Sequence, residues 1–554
     1  MKTSTGEKTL QTRKIPLNEA TKKGIICLFF LAFALLGFLT ANDYGVPWDQ
    51  PLEIDILKSN LVSYESHLLG EISPRFKYIE PITTSVERDH GLSGFYLFAP
   101  FLYMDGISDA QYSTIWHCVC WFIFTLGAIG LYGCLRSLTR SRPIALLGVL
   151  FLLLTPRFFA EGHYNNKDIA LFSFTLLTLW QTFRLLERPR YSTLIAFSIF
   201  GAFAFNTKVV GVALFGICGI FVFLHSLRMA KKRNMKIWQI FAMVFTGIVV
   251  MLGVYFLITP AAWKNPFAYL GYLITNALQF SRWNGNVLYL GTVYNTANTV
   301  LPQSFLPVML LFSTPLWMLL VMVVGQGFAL AKKCTRKLSP TTWVQLLLTS
   351  TLFIVPLAFA VLTRTRVYNG WRHFYFLYAP LCVMAGYGLS CLLCAFKKKR
   401  VVQTMVAVVL VCCFAFNAVG IVLAHPYQYG YYQPLVQAVN ENGKYVEMDY
   451  WNISARDALI ALAKKTEGTL TIAGSDFWSD FALRFALPVL PDDVHKRINY
   501  YNQHRAWKAG YVLSNPTYVQ FNQNVVDLSK MDELVAIKAY DIPLMHVYAK
   551  PDQK

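Results

Sequence analysis

Along the first three quarters of the chain, long apolar runs alternate with short clusters of Lys and Arg. Runs such as 24–41, 238–259 and 401–423 contain no acid or base. Each is close to the ~20 residues a helix needs to cross a ~30 Å hydrocarbon core. The intervening clusters are Lys2/Lys8/Arg13/Lys14/Lys22/Lys23, Arg136/Arg140/Arg142, Arg184/Arg188/Arg190, Arg228/Lys231/Lys232/Arg233/Lys236, Lys332/Lys333/Arg336/Lys337 and Lys397/Lys398/Lys399/Arg400. If every cluster is cytoplasmic, the runs cross alternately between them, which predicts about eleven helices. The expected spans are 24–41, 114–135, 143–156, 169–186, 192–206, 209–227, 238–259, 305–330, 343–362, 374–395 and 401–423. The third and fifth are short, which predicts tilt or burial inside the bundle.

This alternation divides the chain into a cytoplasmic basic N-terminus (1–23), a transmembrane domain (24–424) and an extracytoplasmic tail (425–554). It places loops 42–113 and 260–304 on the same outer side as the tail. Within the first loop, 92–104 is apolar and aromatic but too short to span, so it predicts a helix lying in the membrane plane; 266–280 reads the same way. The tail predicts a small α/β domain. Ser454, followed three residues later by Asp457, opens an amphipathic helix (Ala458, Leu459, Leu462) ending near Gly468, with strands over 469–473, 509–513 and 533–548 and a turn at Asp541. The fold class is therefore an α-helical polytopic membrane protein with a small C-terminal α/β domain.

Composition agrees. Of 554 residues, 55% are hydrophobic and only 14% charged, against about 25% charged in soluble proteins, which excludes a soluble enzyme. The net charge of +20 would suit nucleic acid were it not for its location. Residues 425–554 hold 13 Lys+Arg against 14 Asp+Glu, leaving 37 against 16 for the membrane part. The excess sits in the basic loops, which meet anionic membrane lipids, and no nucleic-acid partner is expected. All eleven cysteines lie in or beside apolar runs, so no disulfide framework is expected, and Cys391/Cys394 read as neighbours on one helix turn rather than metal ligands. The first run lacks a small-residue cleavage site and reads as an uncleaved helix. No internal repeat and no GxxxxGK or GxGxxG loop occurs, so nucleotide hydrolysis has no support.

The candidate chemistry lies in polar residues at the outer helix ends, where a charge is costly unless paired or functional. Asp49 follows the first helix between Pro47 and Pro51, with Trp48 at the interface; it reads either as a general base or as a solvated loop acid. Between the third and fourth helices, Arg157, Glu161, His163, Asn165, Asn166, Lys167 and Asp168 are compressed into one connection, and Asp168 is either functional or the cap of the next helix. Lys208 interrupts apolar sequence where two short helices meet. Its partner is a lipid phosphate or an internal acid, Asp49 or Asp168, unless it snorkels to water. Arg364, Arg366, Arg372 and His373 lie on the outer side against the positive-inside tendency, which argues for anion binding, with Arg372 and His373 first. Together these form an outward site with a carboxylate base and several cations, the arrangement a departing lipid phosphate needs.

At these residues the sequence resembles the polytopic glycosyltransferases of C-type fold that use polyprenyl-phosphate sugars, among them protein O-mannosyltransferases and aminoarabinose transferases. The resemblance rests on Trp48-Asp49 after the first helix, Asp168 before Leu171-Phe172, the Thr207-Lys208 turn, and Arg372-His373 before a late helix. It covers about residues 20–425. Where that family pairs two acids, Asp49 is followed here by Gln50, and Glu53 substitutes only if the segment is helical. Glu87-Arg88-Asp89-His90 resembles part of the family's first loop, with Asp89 or His90 as a substrate contact. The resemblance implies an inverting hexosyl- or pentosyltransferase in a bacterial-type cytoplasmic membrane, moving a sugar from a polyprenyl phosphate to a hydroxyl of a glycolipid, glycan or protein. Asp49 and Asp168 would be catalytic, and Lys208, Arg372, His373, Arg157 and His163 would meet the donor phosphate. No metal ligand is assigned; a divalent metal is compatible with the site and not required.

Two other readings accompany this one. A polymerase or ligase of lipid-linked glycans would also use outer Arg and His loops. A transporter or flippase would place charges at mid-membrane in corresponding halves, whereas here they gather at one surface.

Overall fold

The computed structural model describes residues 18–278, 285–367, 369–521 and 524–551; the basic cluster from Lys2 to Lys14 lies outside them. Helix α1 (Glu19–Thr40) starts earlier than expected because Asn18 caps it, accepting from Thr21 N at 2.7 Å. The outer loop then departs from its predicted irregularity: Asp49–Leu68 forms α2, twenty residues long. The in-plane helix expected over 92–104 is instead a 3-10 turn (Ser93–Leu97) and a single α-turn (Ala99–Leu102). Phe95 and Phe98 pack their rings 4.3 and 5.1 Å from buried Trp116, so the aromatic face looks into the protein rather than into lipid.

Helix α3 (Asp109–Thr139) begins at a capping box in which Ser108 and Gln111 exchange hydrogen bonds. Helices α4 (Arg142–Leu153) and α5 (Pro156–Tyr164) form one span bent by 75°. Pro156 has no N–H to continue the ladder and holds Thr155 extended, which accounts for the bend. The polar connection read as a loop is therefore largely helix. There follow α6 (Asp168–Glu187), α7 (Tyr191–Thr207), α8 (Val210–Met229), α9 (Ile237–Leu257) and α10 (Pro266–Leu278). A hairpin of β1 (Asn286–Tyr289) and β2 (Thr292–Asn295) leads to α11 (Phe305–Ser313) and α12 (Leu316–Cys334), a span expected to be continuous but broken at Thr314-Pro315. Then come α13 (Pro340–Thr363), α14 (Tyr378–Ala395) behind a 3-10 turn at Arg372–Leu377, and α15 (Arg400–Leu423).

Among the described residues, nine helices are long and apolar enough to cross a membrane, or ten with the bent pair; the eleventh expected span corresponds to α7, which is apolar but shorter. The chain is a multi-pass membrane protein. Helices α6 and α14 are buried along most of their length, while α9 and α15 turn bare faces outward, including Phe241, Phe245, Val409 and Phe416. In water such faces would be a liability; against lipid tails they are at rest. The centre of the bundle depends on a stripe of small residues: a Cβ on Gly130 of α3 would lie 2.9 Å from the Leu176–Leu177 backbone of α6.

The tail forms the α/β unit expected. Helices α16 (Ala455–Lys465) and α17 (Phe477–Ala486) accompany β3 (Leu470–Gly474), β4 (Ile498–Tyr500), β5 (Tyr511–Ser514), β6 (Asp532–Ala539) and β7 (Ile542–Ala549). The sheet order is β4-β3-β5-β7-β6; β3 is parallel to both its neighbours, and β6–β7 is an antiparallel hairpin. Its turn places Tyr540 and Asp541 both at positive φ. Ser454 precedes α16 without capping it, because its hydroxyl bonds Asp449 instead. Trp48, expected at the lipid interface, packs 4.6 Å from Trp478 of this domain. All eleven cysteines are free.

Candidate functional site

Four segments distant in sequence meet at one end of the bundle: the start of α2, the start of α6, the α7–α8 turn and the loop before α14. Asp49 is the first residue of α2, where the helix dipole favours a negative charge. Its Oδ2 accepts from Arg372 Nη1 at 3.0 Å and from Trp451 Nε1 at 3.3 Å. The Arg372 guanidinium lies 4.8 Å over the Trp451 ring and 4.0 Å from Asp168 Oδ2. Asp168 in turn bonds Lys208. The result is a line of alternating charge, Asp49–Arg372–Asp168–Lys208, whose two ends, Asp49 and Lys208, are half-buried at 29% and 24% exposure while Arg372 and Asp168 are almost wholly buried.

Because the segment after Asp49 is helical, Glu53 stands one turn further along the same face. It is fully buried, ion-paired with Lys167 and 3.4 Å from Asn166 Nδ2. Burial raises its carboxyl pKa, with Lys167 opposing. Burial likewise lowers Lys208, with Asp168 opposing. His373 faces Lys208, Arg372 and Lys167, so it borders the same charge line.

The loop carrying Arg372 turns at Asn369 and Gly370, both at positive φ. It is tied to the tail by Glu447, whose two oxygens accept from Gly370 N at 3.2 Å and Leu288 N at 3.4 Å. Burial pushes the Glu447 carboxyl up to about 7, against those two bonds and Arg372. The Lys208 turn is braced from the other side. Asn206 accepts from Ser93 N at 3.1 Å, and a Cβ on Gly91 would fall 1.7 Å from the Asn206 carbonyl oxygen. Glu87, Asp89 and His90 bring their ligand atoms within 4.8 Å of one another, and Asp89 also accepts from Asn276. They carry the donor types a divalent cation takes.

Two expected phosphate contacts lie elsewhere. Arg157 is buried in α5, donating to Tyr431 O at 3.0 Å, 3.8 Å from Glu161 and 4.9 Å from the Tyr432 ring. His163 is stacked between Tyr44 and Trp121, each 4.3 Å away, and bonds Thr40 and the Phe159 carbonyl at 3.0 Å. Both hold α5 against its neighbours. Sequence reading gave no role to Glu161, which accepts from Tyr375 at 2.5 Å and from Asn165 at 2.7 Å; Asn165 then accepts from Asp168 N at 2.9 Å. This chain fixes the start of α6. Glu447 also had no signal in the sequence, since its partners are backbone groups far away in the chain.

Residues 89–253 match the family model described as dolichyl-phosphate-mannose-protein mannosyltransferase. No curated protein matches the chain in sequence. Among solved structures it is similar to ArnT from Cupriavidus metallidurans bound to undecaprenyl phosphate, at 15% identity and TM-score 0.46, covering 95% of this chain and 98% of that one. It is also similar to the S. cerevisiae protein O-mannosyltransferase Pmt1-Pmt2 complex bound to the sugar donor, at 17% identity and TM-score 0.32, covering 50% of this chain and 38% of that one. The family-model match begins at Asp89 and includes Asp168 and Lys208, so over this stretch the chain resembles the polytopic C-type glycosyltransferases.

Proposed function

We propose that the protein transfers a sugar from a polyprenyl phosphate to an acceptor hydroxyl, with inversion at the anomeric carbon. The observation that carries this reading is the charge line itself: an accessible carboxylate held 3.0 Å from an arginine, with a second buried acid and a lysine behind it. Arg372 is shared between Asp49 and Asp168. A donor phosphate draws Arg372 and Lys208 onto its oxygens, which leaves the Asp49 carboxylate free to meet the acceptor hydroxyl. The acceptor O–H proton passes to Asp49 as the acceptor oxygen bonds the anomeric carbon. The bond from that carbon to the phosphate oxygen breaks on the opposite face, and its electron pair leaves with the lipid phosphate. Arg372, Lys208 and His373 stabilise the charge that develops there, an electrostatic contribution commonly larger than that of the base.

An apolar cavity of about 250 Å³ among α7, α8 and α9 supports a lipid donor. Its lining on α8 runs from Phe215 to Ser226, about 10 Å to about 27 Å from the Lys208 turn at 1.5 Å per residue. In this reading Asp89 and His90 contact the sugar. The acceptor is a glycolipid, glycan or protein hydroxyl outside the cytoplasmic membrane, in line with the basic loops at the other end of the bundle.

The test is transfer from radiolabelled polyprenyl-phosphate sugars to envelope acceptors by purified wild type, Asp49→Asn and Lys208→Ala, with and without chelator. Asp49→Asn is expected to lose at least about a hundredfold in turnover while remaining folded. Full activity in Asp49→Asn would move the base to Asp168 or Asp89, and transfer only from a diphosphate-linked glycan would make the enzyme a ligase or polymerase.

A further inference from the structure

At the opposite end of the bundle, a cavity of about 470 Å³ opens among the ends of α3, α6, α7 and α13. Four arginines line it, Arg140, Arg184, Arg188 and Arg190, with one acid, Glu187. The charge of that acid is answered within the wall: Glu187 accepts from Arg140 Nη2 at 2.9 Å, from Gln345 Nε2 at 3.4 Å and from Ser137. Among the described residues, Arg184 donates to the neutral amide of Gln181, at 2.9 Å, and no carboxylate lies within ion-pair distance of Arg184, Arg188 or Arg190. The cavity therefore carries about three uncompensated positive charges.

Capping does not account for them. The last carbonyls of α6, at Leu186 and Glu187, already accept from Arg233, at 2.5 and 3.2 Å. Arg140 closes α3 as its left-handed C-cap, with φ 57 and its N–H on the Arg136 carbonyl, and its side chain pairs with Glu187. Thr193, Ser339 and Thr341 add hydroxyls to the same lining.

Depth identifies the occupant. Helix α6 runs twenty residues from Asp168 to Glu187, about 30 Å at 1.5 Å per residue, so this cavity lies one hydrocarbon thickness from the charge line. That is the level of phospholipid headgroups. Guanidinium forks match phosphate oxygens bidentately, and basic pockets between membrane helices hold anionic headgroups. We propose that this cavity is a binding site for a phosphate-bearing lipid headgroup with two negative charges, in the leaflet opposite the charge line. The proposal is independent of the transfer reaction.

The test uses the full chain in nanodiscs of phosphatidylcholine with a minority of cardiolipin, with bound lipid counted by native mass spectrometry. Arg188→Gln/Arg190→Gln removes two exposed guanidiniums; Lys397→Gln/Lys398→Gln removes the same charge from another exposed cluster. The first variant is expected to lose about tenfold in cardiolipin retention, the loss of one charge-assisted hydrogen bond, and the second less than about twofold at an unpaired surface charge. Equal losses in both would reduce the effect to diffuse surface attraction and overturn the site, as would retention unchanged in the first. Displacement of cardiolipin by inorganic phosphate in wild type but not in Arg188→Gln/Arg190→Gln would keep the anion site and assign it to a soluble phosphate.

Discussion

Arg372 owes its place to geometry as much as to charge. Its guanidinium reaches Asp49 at 3.0 Å, Asp168 at 4.0 Å and the Trp451 ring at 4.8 Å. A lysine ammonium is a point charge without a planar fork and can satisfy one of these contacts at a time. Arg372→Lys is therefore expected to stay folded and to lose about ten- to a hundredfold in kcat, measured as initial transfer rate, because one charge-assisted donor to the departing phosphate is missing.

Glu447 gives a pH signature. Its pKa moves from an ordinary 4.5 to about 7 in the fold, and that of neighbouring Asp449 from 3.8 to about 6, both through burial. In each case the folded protein binds the proton more tightly than the unfolded chain does. Their stabilising contribution is thus complete below the unfolded values and lost as pH rises through the folded ones. Thermal unfolding in detergent should show Tm falling between about pH 4.5 and 7 from these groups. Glu447→Gln should flatten part of that fall while costing about 1 kcal/mol, since its amide NH2 would face one of the two backbone N–H donors, Leu288 N or Gly370 N.

At the scale of elements, what could be read from the sequence depended on which face of a segment is polar. Asp49, Asp168, Lys208 and Arg372 stood out because each interrupts or borders an apolar run. Helix α2 did not: its buried positions include Gln50, Glu53, Asn60, Ser63 and Glu65, so no apolar stripe marks it. Helix α5 was hidden in the same way, since Arg157, Glu161 and His163 all face inward. The tail strands were legible because their burial alternates or is continuous over short β-branched runs bounded by turns. The buried contacts of Arg157 and His163 were not legible because their partners, Tyr431, Tyr432 and Trp121, lie far from them in the chain. Packing between elements makes its own prediction. Gly130→Val places two methyl groups where α6 backbone already stands 2.9 Å from a Cβ, and overpacking of this kind costs about 1–3 kcal/mol. The variant should melt several degrees lower, with transfer falling in proportion to the folded fraction.

Over the whole molecule, charge is sorted by end. The charge line, Glu447 and the α/β tail share one end, while Arg140, Arg184, Arg188, Arg190 and Lys332 lie toward the other. Basic loops are retained on the cytoplasmic side, so this sorting predicts an orientation. The tail is part of the site, since Trp451 donates to Asp49 and Glu447 holds the Arg372 loop; an extracytoplasmic site therefore requires an extracytoplasmic tail. Alkaline phosphatase, active only outside the cytoplasm, should be active when fused after Lys554 and inactive when inserted at Lys397. Green fluorescent protein exported through the same route should show the reverse. Activity of the phosphatase at Lys397 would invert the molecule, place the charge line on the cytoplasmic face and require an acceptor from inside the cell.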